Sequence, residues 1–152
     1  MLYTFGLSSP LGTIGLLADK DFLLEISLQG PKALSVNGEF SEGRFVHEIK
    51  ELREYFFEGR KEFTIPYHLK ASPFASSVYQ SMLKINYGST KSYSQIASEI
   101  GNSKATRAVG TACGKNPLPI IIPCHRVLAK NSIGGFSSGL VMKRFLLKLE
   151  TN

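Results

Sequence analysis

The sequence predicts an α+β fold in two parts, a small antiparallel sheet with one helix followed by a mostly helical half. Three observations carry this reading. Residues 1–30 alternate extended apolar runs with turn residues. From Gly43 onward, apolar residues recur at helical spacing. The charge also changes sign along the chain. Up to residue 83 there are eight Lys/Arg against ten Asp/Glu, and beyond it ten against two, within a net charge of +6. A length of 152 residues with 43% hydrophobic content allows one domain or two small ones. The boundary is expected near residue 70, giving domains of 1–70 and 71–152.

The expected strands are Leu2–Leu7, Thr13–Ala18 and Phe22–Leu28. Ser9-Pro10-Leu11-Gly12 and Asp19-Lys20-Asp21 supply the turns between them. Residues 31–42 are polar and contain Gly and Ser, which predicts a loop. Gly43–Phe57 reads as a helix with Phe45, Ile49, Leu52 and Phe56 on one stripe. Glu48, Lys50, Glu51, Arg53 and Glu54 fall on its solvent side, and Gly59 ends it. Glu62–Pro73 predicts a strand running into a linker. Phe74, Val78, Met82 and Ile85 mark the next helix, broken by Tyr87–Thr90. Ser92 with Gln95 has capping-box form and opens a helix to Ile100, with Ile96, Ala97 and Ile100 inward. Gly101 stops it. Ser103 is placed to cap Lys104–Gly114, with Ala105, Val109 and Ala112 inward. Two helices joined by a tight turn predict a helix-turn-helix. The last helix turns Met142, Phe145, Leu146 and Leu149 inward.

A basic second half suits a polyanionic partner. The helix Lys104–Gly114 is built almost entirely of small residues, with Arg107 as the one long cation beyond its first residue. It lacks the Asn, Gln and multiple Arg side chains that read base edges in the major groove. Contact through Lys104, Ala105, Thr106, Arg107, Gly110 and Arg126 is therefore expected to follow phosphates and shape, in the minor groove. No apolar run has the length of a membrane span, and the first residues lack signal-peptide form. Two cysteines make no disulfide framework, so a reducing, cytoplasmic compartment is expected. His47 and His68 have no Cys/His cluster around them, and no metal is expected.

The densest chemistry lies in Asn116-Pro-Leu-Pro-Ile-Ile-Ile-Pro-Cys-His-Arg-Val127. Three prolines stiffen it, and Ile120–Ile122 suits a short buried extended segment. It delivers a thiol, Cys124, beside an imidazole, His125. Alone, a free cysteine is more often a small buried hydrophobe. The twelve-residue string, however, closely resembles the active-site signature of the O6-alkylguanine-DNA alkyltransferases. Ser92-Tyr93, Ala105-x-Arg107-Ala-Val-Gly110, Gly134-Gly-Phe-Ser137 and Lys143–Glu150 match the same family in order. About 80 residues match strongly and the N-terminal half weakly. Asn86 and Ser103 stand where proline is common, Tyr79 where Trp is common, and Phe136 where some members have Tyr.

The resemblance implies a ribonuclease H-like structural domain, then a DNA-binding and alkyl-acceptor domain. It implies irreversible transfer of an alkyl group from O6-alkylguanine, and from O4-alkylthymine, to Cys124. Transfer occurs once per molecule, on a flipped nucleotide of double-stranded DNA, by a monomer without cofactor. A water relays the Cys124 proton to His125, and Glu150 orients the imidazole. Arg107 fills the vacated stack. Tyr93 donates to the base, and Asn116 braces the turn around Cys124. The Cys124 and Val127 carbonyls accept from the guanine amino group. Phe136 and Ser137 wall the pocket. Some members hold a structural zinc in the first half, but the cysteines for it are absent here. Two other readings stay open: a helix-turn-helix DNA-binding protein without alkyl transfer, and a thiol hydrolase.

Overall fold

Turn chemistry sets the first sheet. In the computed structural model, which describes residues 1–151, the strands β1 (Tyr3–Ser9) and β2 (Gly12–Ala18) pair antiparallel from Tyr3↔Ala18 to Ser9↔Gly12. Ser9 Oγ accepts from the Leu11 amide, and Gly12 closes the turn at φ 95°. Asp19 Oδ1 accepts from the amides of Asp21 and Phe22, which turns the chain into β3 (Leu23–Ser27). The sheet order is β3-β2-β1-β4, where β4 (Glu39–Phe40) runs parallel to β1. The expected loop 31–42 thus contains an edge strand. The central strand is buried from Ile14 to Ala18. A Cβ at Gly15 would lie 2.7 Å from Pro31 Cα, so only glycine lets this backbone pass.

The helix α1 (Val46–Glu58) follows a 3-10 turn at Gly43–Phe45 and ends on Gly59 in the left-handed region. Phe45, Leu52 and Phe56 are buried as the stripe predicts. Two assignments change. Glu48 and Glu51, expected in solvent, are buried at 2% and 3% exposure. Arg44 pairs with Glu48, while His47, Arg60 and Thr64 surround Glu51. Buried carboxylates need such partners. The strand expected over 62–73 reduces to one bridge, Leu23↔Tyr67. The Pro66 carbonyl accepts from Leu23, but the proline itself has no amide to extend a ladder.

The chain divides into two units, Met1–Leu69 and Lys70–Asn152. In the second, Ser72 caps α2 (Pro73–Leu83), whose Val78, Tyr79 and Met82 are buried. The Tyr79 hydroxyl donates to the Ala112 carbonyl at 2.8 Å and ties α2 to α4 (Thr106–Gly114). Helix α3 (Tyr93–Glu99) opens on the expected capping box, with Ser92 and Gln95 exchanging both bonds. Gly101 ends it at φ 78°. Ser103 does not cap α4, which begins at Thr106 with no side-chain cap. The last helix is α5 (Leu140–Thr151). Among the described residues no helix is long and apolar enough to cross a membrane.

Candidate active site

The proline-rich string is a wound loop, in which Ile120–Ile122 is buried as expected but is not the short extended segment expected. Ile120 takes a positive φ of 77°, and Pro119 bridges to Ile122 across the turn. Asn116 holds both ends of this loop. Its Nδ2 donates to the Ile122 carbonyl at 2.8 Å, and its Oδ1 accepts from the Leu118 amide at 2.9 Å. Leu118 through Val127 are all buried, so the loop is fixed from every side. It ends in one 3-10 turn, Cys124–Arg126. Beyond that turn, β6 (Val127–Leu128) pairs parallel with β5 (Lys91–Ser92). That pairing sets Ser92, the cap of α3, and therefore Tyr93, beside the cysteine turn.

An open cavity of about 1110 Å³ faces Cys124. Of the residues singled out in the sequence, Tyr93, Lys104, Thr106, Arg107, Gly110, Cys124, Phe136 and Ser137 line it. Gly134 packs on Tyr93, where a Cβ would come within 2.9 Å of the ring. Its φ of 79° demands glycine for a second reason. Ala105 sits at the start of α4, and Val127 is buried behind the wall.

Behind the thiol lies a closed polar cluster. His125 is fully buried, and its Nε2 meets Glu150 Oε2 at 2.6 Å. Glu150 also accepts from Arg126, at 2.7 Å from Nε and 3.0 Å from Nη2. Arg126 Nη1 donates to the Ile85 carbonyl at 2.7 Å, and the guanidinium lies 5.8 Å from the Tyr87 ring centre. This overturns the expectation that Arg126 contacts DNA. It is 7% exposed and committed to the interior charge of Glu150.

Burial dominates the protonation states. It holds the Cys124 thiol up at about 11, against opposing help from Asn116, Lys143 and nearby backbone amides. The thiol is therefore protonated at neutral pH and needs a base. Burial pushes His125 below its usual value, and the charges of Arg126 and Lys143 add to this, although Glu150 opposes. A neutral imidazole whose Nε2–H is given to Glu150 keeps a free lone pair on Nδ1. Nδ1 is buried and has no protein partner.

Lys143 was not singled out for any role. Its side chain is fully buried, and Nζ donates to the Val127 carbonyl at 2.7 Å and the Gly135 carbonyl at 2.9 Å. It also lies 5.7 Å from the Tyr93 ring centre. A cation thus ties β6, which follows the Cys124 turn, to the glycine loop and faces Tyr93. A lysine amid the apolar stripe of α5 was the available signal. Among the described residues no group of three or more His, Cys, Asp or Glu could hold a metal.

The family described as 6-O-methylguanine DNA methyltransferase, DNA binding domain, matches residues 73–152. The chain belongs to this family. Across its length it is 40% identical to the methylated-DNA–protein-cysteine methyltransferase of Methanosarcina acetivorans, over 146 residues, 93% of this chain and 94% of that one. It is 38% identical to the constitutive methyltransferase of Bacillus subtilis over 158 residues, 99% of this chain and 96% of the relative. The fold matches the crystal structure of Mycobacterium tuberculosis OGT in complex with DNA, with TM-score 0.91 and 33% identity. That match covers 98% of this chain and 92% of the other. Similarity to methylated-DNA–protein-cysteine methyltransferases therefore spans both units, although the family match itself falls on the second.

Proposed function

We propose that this chain repairs alkylated DNA by moving the alkyl group from guanine O6 to Cys124 Sγ, irreversibly and once per molecule. Repair by alkyl transfer is the activity of the methylated-DNA–protein-cysteine methyltransferases that the chain matches over its length. The choice of atoms rests on one observation. The residue next to a buried thiol is an imidazole whose Nε2 lies 2.6 Å from Glu150 and whose Nδ1 is buried with no protein partner, which we read as a neutral ring with Nδ1 as the acceptor.

The steps balance on that arrangement. The Cys124 proton passes through a bridging water to His125 Nδ1, and the resulting imidazolium is stabilised by Glu150. Sulfur attacks the alkyl carbon, an S–C bond forms, and the C–O6 bond breaks. Guanine leaves with negative charge on its ring system, met by the Tyr93 hydroxyl and the Ser137 amide. Lys143 positions this wall by bridging the Val127 and Gly135 carbonyls. The Val127 carbonyl retains a second lone pair for the guanine amino group, beside that of Cys124. Phe136 closes one side of the slot. The product is a thioether, which ordinary protein side chains do not hydrolyse.

An O6 atom inside a duplex cannot reach a thiol that is 4% exposed, so the nucleotide must leave the stack. Helices α3 and α4 act as a helix-turn-helix whose small, exposed residues meet the minor groove. Lys104, Ala105, Thr106 and Gly110 approach the backbone, and exposed Arg107 fills the gap. The first unit, a four-stranded sheet with α1, serves as a ribonuclease H-like structural domain. The working form is a monomer in the cytoplasm, and O4-alkylthymine is a second substrate.

Incubation with a duplex carrying O6-methylguanine tests this by intact mass. One methyl group gained on Cys124, stoichiometric and absent in Cys124→Ala, is expected. Multiple turnover, or tight binding without mass gain, would favour a thiol hydrolase or a pure binding module.

A further inference from the structure

Cys113 lies on α4, and its sequence position suggests only a packing role. The structure gives it a second property. Both Cys113 and Cys124 line the same cavity, one from the helix wall and one from the floor. They are free thiols, 8% and 4% exposed. Burial pushes both thiols up, a thiolate at Cys124 would push Cys113 up further, and Lys143 favours the thiolate of both. A third soft atom stands behind Cys113, whose Sγ lies 3.6 Å from Met82 Sδ. Two thiols facing one open space, backed by a thioether, are a donor set for soft elements rather than for zinc or calcium.

We propose that Cys113 and Cys124 together form a dithiol site for trivalent, thiophilic arsenic compounds, which would close the alkyl-acceptor thiol. The proposal builds on the assignment of Cys124 as acceptor but does not need the repair chemistry. The reaction with a monosubstituted arsenic oxide balances without oxidant. Two S–As bonds form, the As–O bond breaks, and both thiol protons leave with the oxide as water. Arsenic and sulfur keep their oxidation states. An aryl group on arsenic fits the cavity, whose walls include Tyr93 and Phe136 beside the open glycine backbone of Gly134 and Gly135.

Phenylarsine oxide is the test. Wild-type protein should take up one phenylarsenic group by native mass spectrometry. Both thiols, counted in denaturant with a disulfide reagent, should disappear together. A dithiol such as 2,3-dimercaptopropanol should restore them, and a monothiol should not. Cys113→Ser and Cys124→Ser, each checked for folding by circular dichroism, should each lose the stable adduct. Protein already alkylated on Cys124 should also refuse it. A wild-type adduct that leaves one thiol free, persistence of the adduct in Cys113→Ser, or no adduct would overturn the proposal. The wild-type thiol count decides the matter even if a variant misfolds. Failure of the repair reading would show instead in the damaged-duplex assay, with the arsenic stoichiometry unchanged.

Discussion

Each unit contains a buried glutamate bonded to a histidine and an arginine, and only one of the two sets is chemically poised. In the first unit Glu51 takes His47 at 2.8 Å and Arg60 at 3.0 Å. The His47 side chain is 45% exposed and also meets Thr64, so both its ring and its proton communicate with water. In the second unit Glu150 takes His125 at 2.6 Å and Arg126 at 2.7 Å, with the histidine fully buried. The residues are alike. What differs is solvent, and a thiol one residue away. Glu51 is a structural anchor that staples Thr64, in the stretch after α1, onto the helix. Glu150 holds Nε2 of a buried imidazole and leaves Nδ1 without a protein partner.

The largest expected effect separates these roles. Glu150→Gln leaves Arg126 as an uncompensated buried charge and should cost about 3–5 kcal/mol, read from urea unfolding. In single-turnover assays at a temperature where the variant is folded, alkyl transfer should slow by roughly a hundredfold or more. Glu51→Gln should cost about 1–3 kcal/mol through lost hydrogen bonds and leave the transfer rate unchanged. Equal rate losses in both variants would break the distinction.

A second contrast concerns two arginines. Arg126→Ala should destabilise by about 3 kcal/mol or more, because it strips Glu150 of its arginine partner. The salt dependence of DNA binding should not change. Arg107→Ala, at an exposed position, should alter stability by about 0.5 kcal/mol or less. It should lower the slope of log affinity against log salt by about one phosphate's worth. The reverse pattern would return Arg126 to the DNA surface.

These contrasts also mark what the sequence revealed. Local signals were legible: the Ser9–Gly12 turn, the Ser92–Gln95 capping box, the Gly59 and Gly101 stops, and the apolar stripes of α1 and α2. Their causes lie within a few residues of one another. The misread features depend on partners far along the chain. Glu51 is buried because Thr64 bonds it, and Arg126 because Glu150 does. Lys143 is buried because the Val127 and Gly135 carbonyls converge on it. No periodicity announces such pairs. The left-handed turn at Ile120 was hidden too, since a β-branched residue argues against positive φ. The thiol and imidazole were found through a motif, and their protonation states only through burial.

The pH response sharpens the comparison further. His125 has a folded value below 6.5, so as pH falls the unfolded chain takes up the proton first. Its contribution to stability is fully present above 6.5 and is lost as pH falls from there toward the folded value. Burial raises the Glu51 carboxyl, but Thr64, His47 and Arg60 together bring it below 4.5. That contribution is present above 4.5 and fades only at more acid pH. Urea midpoints measured across this range should therefore fall in two stages. His125→Gln should flatten the upper stage alone, and Glu51→Gln the lower one. A single stage that both variants remove would mean that the clusters titrate as one system.

The smallest expected loss of transfer rate concerns how α1 and α3 begin. Helix α1 enters through a 3-10 turn with no side-chain cap, whereas α3 has both bonds of a capping box and then Tyr93. Ser92→Ala removes an acceptor from the Gln95 amide and should cost about 1 kcal/mol. Tyr93 is the first residue of that helix, so fraying reaches the cavity wall before it reaches the core. The transfer rate at saturating DNA should fall by less than in Glu150→Gln, because the proton route through His125 is untouched. The concentration of damaged duplex giving half-maximal rate should rise if Tyr93, which lines the cavity, meets the base as proposed. A loss confined to stability would mean that Gly134 and Lys143, packed on the Tyr93 ring, hold it in place without the cap.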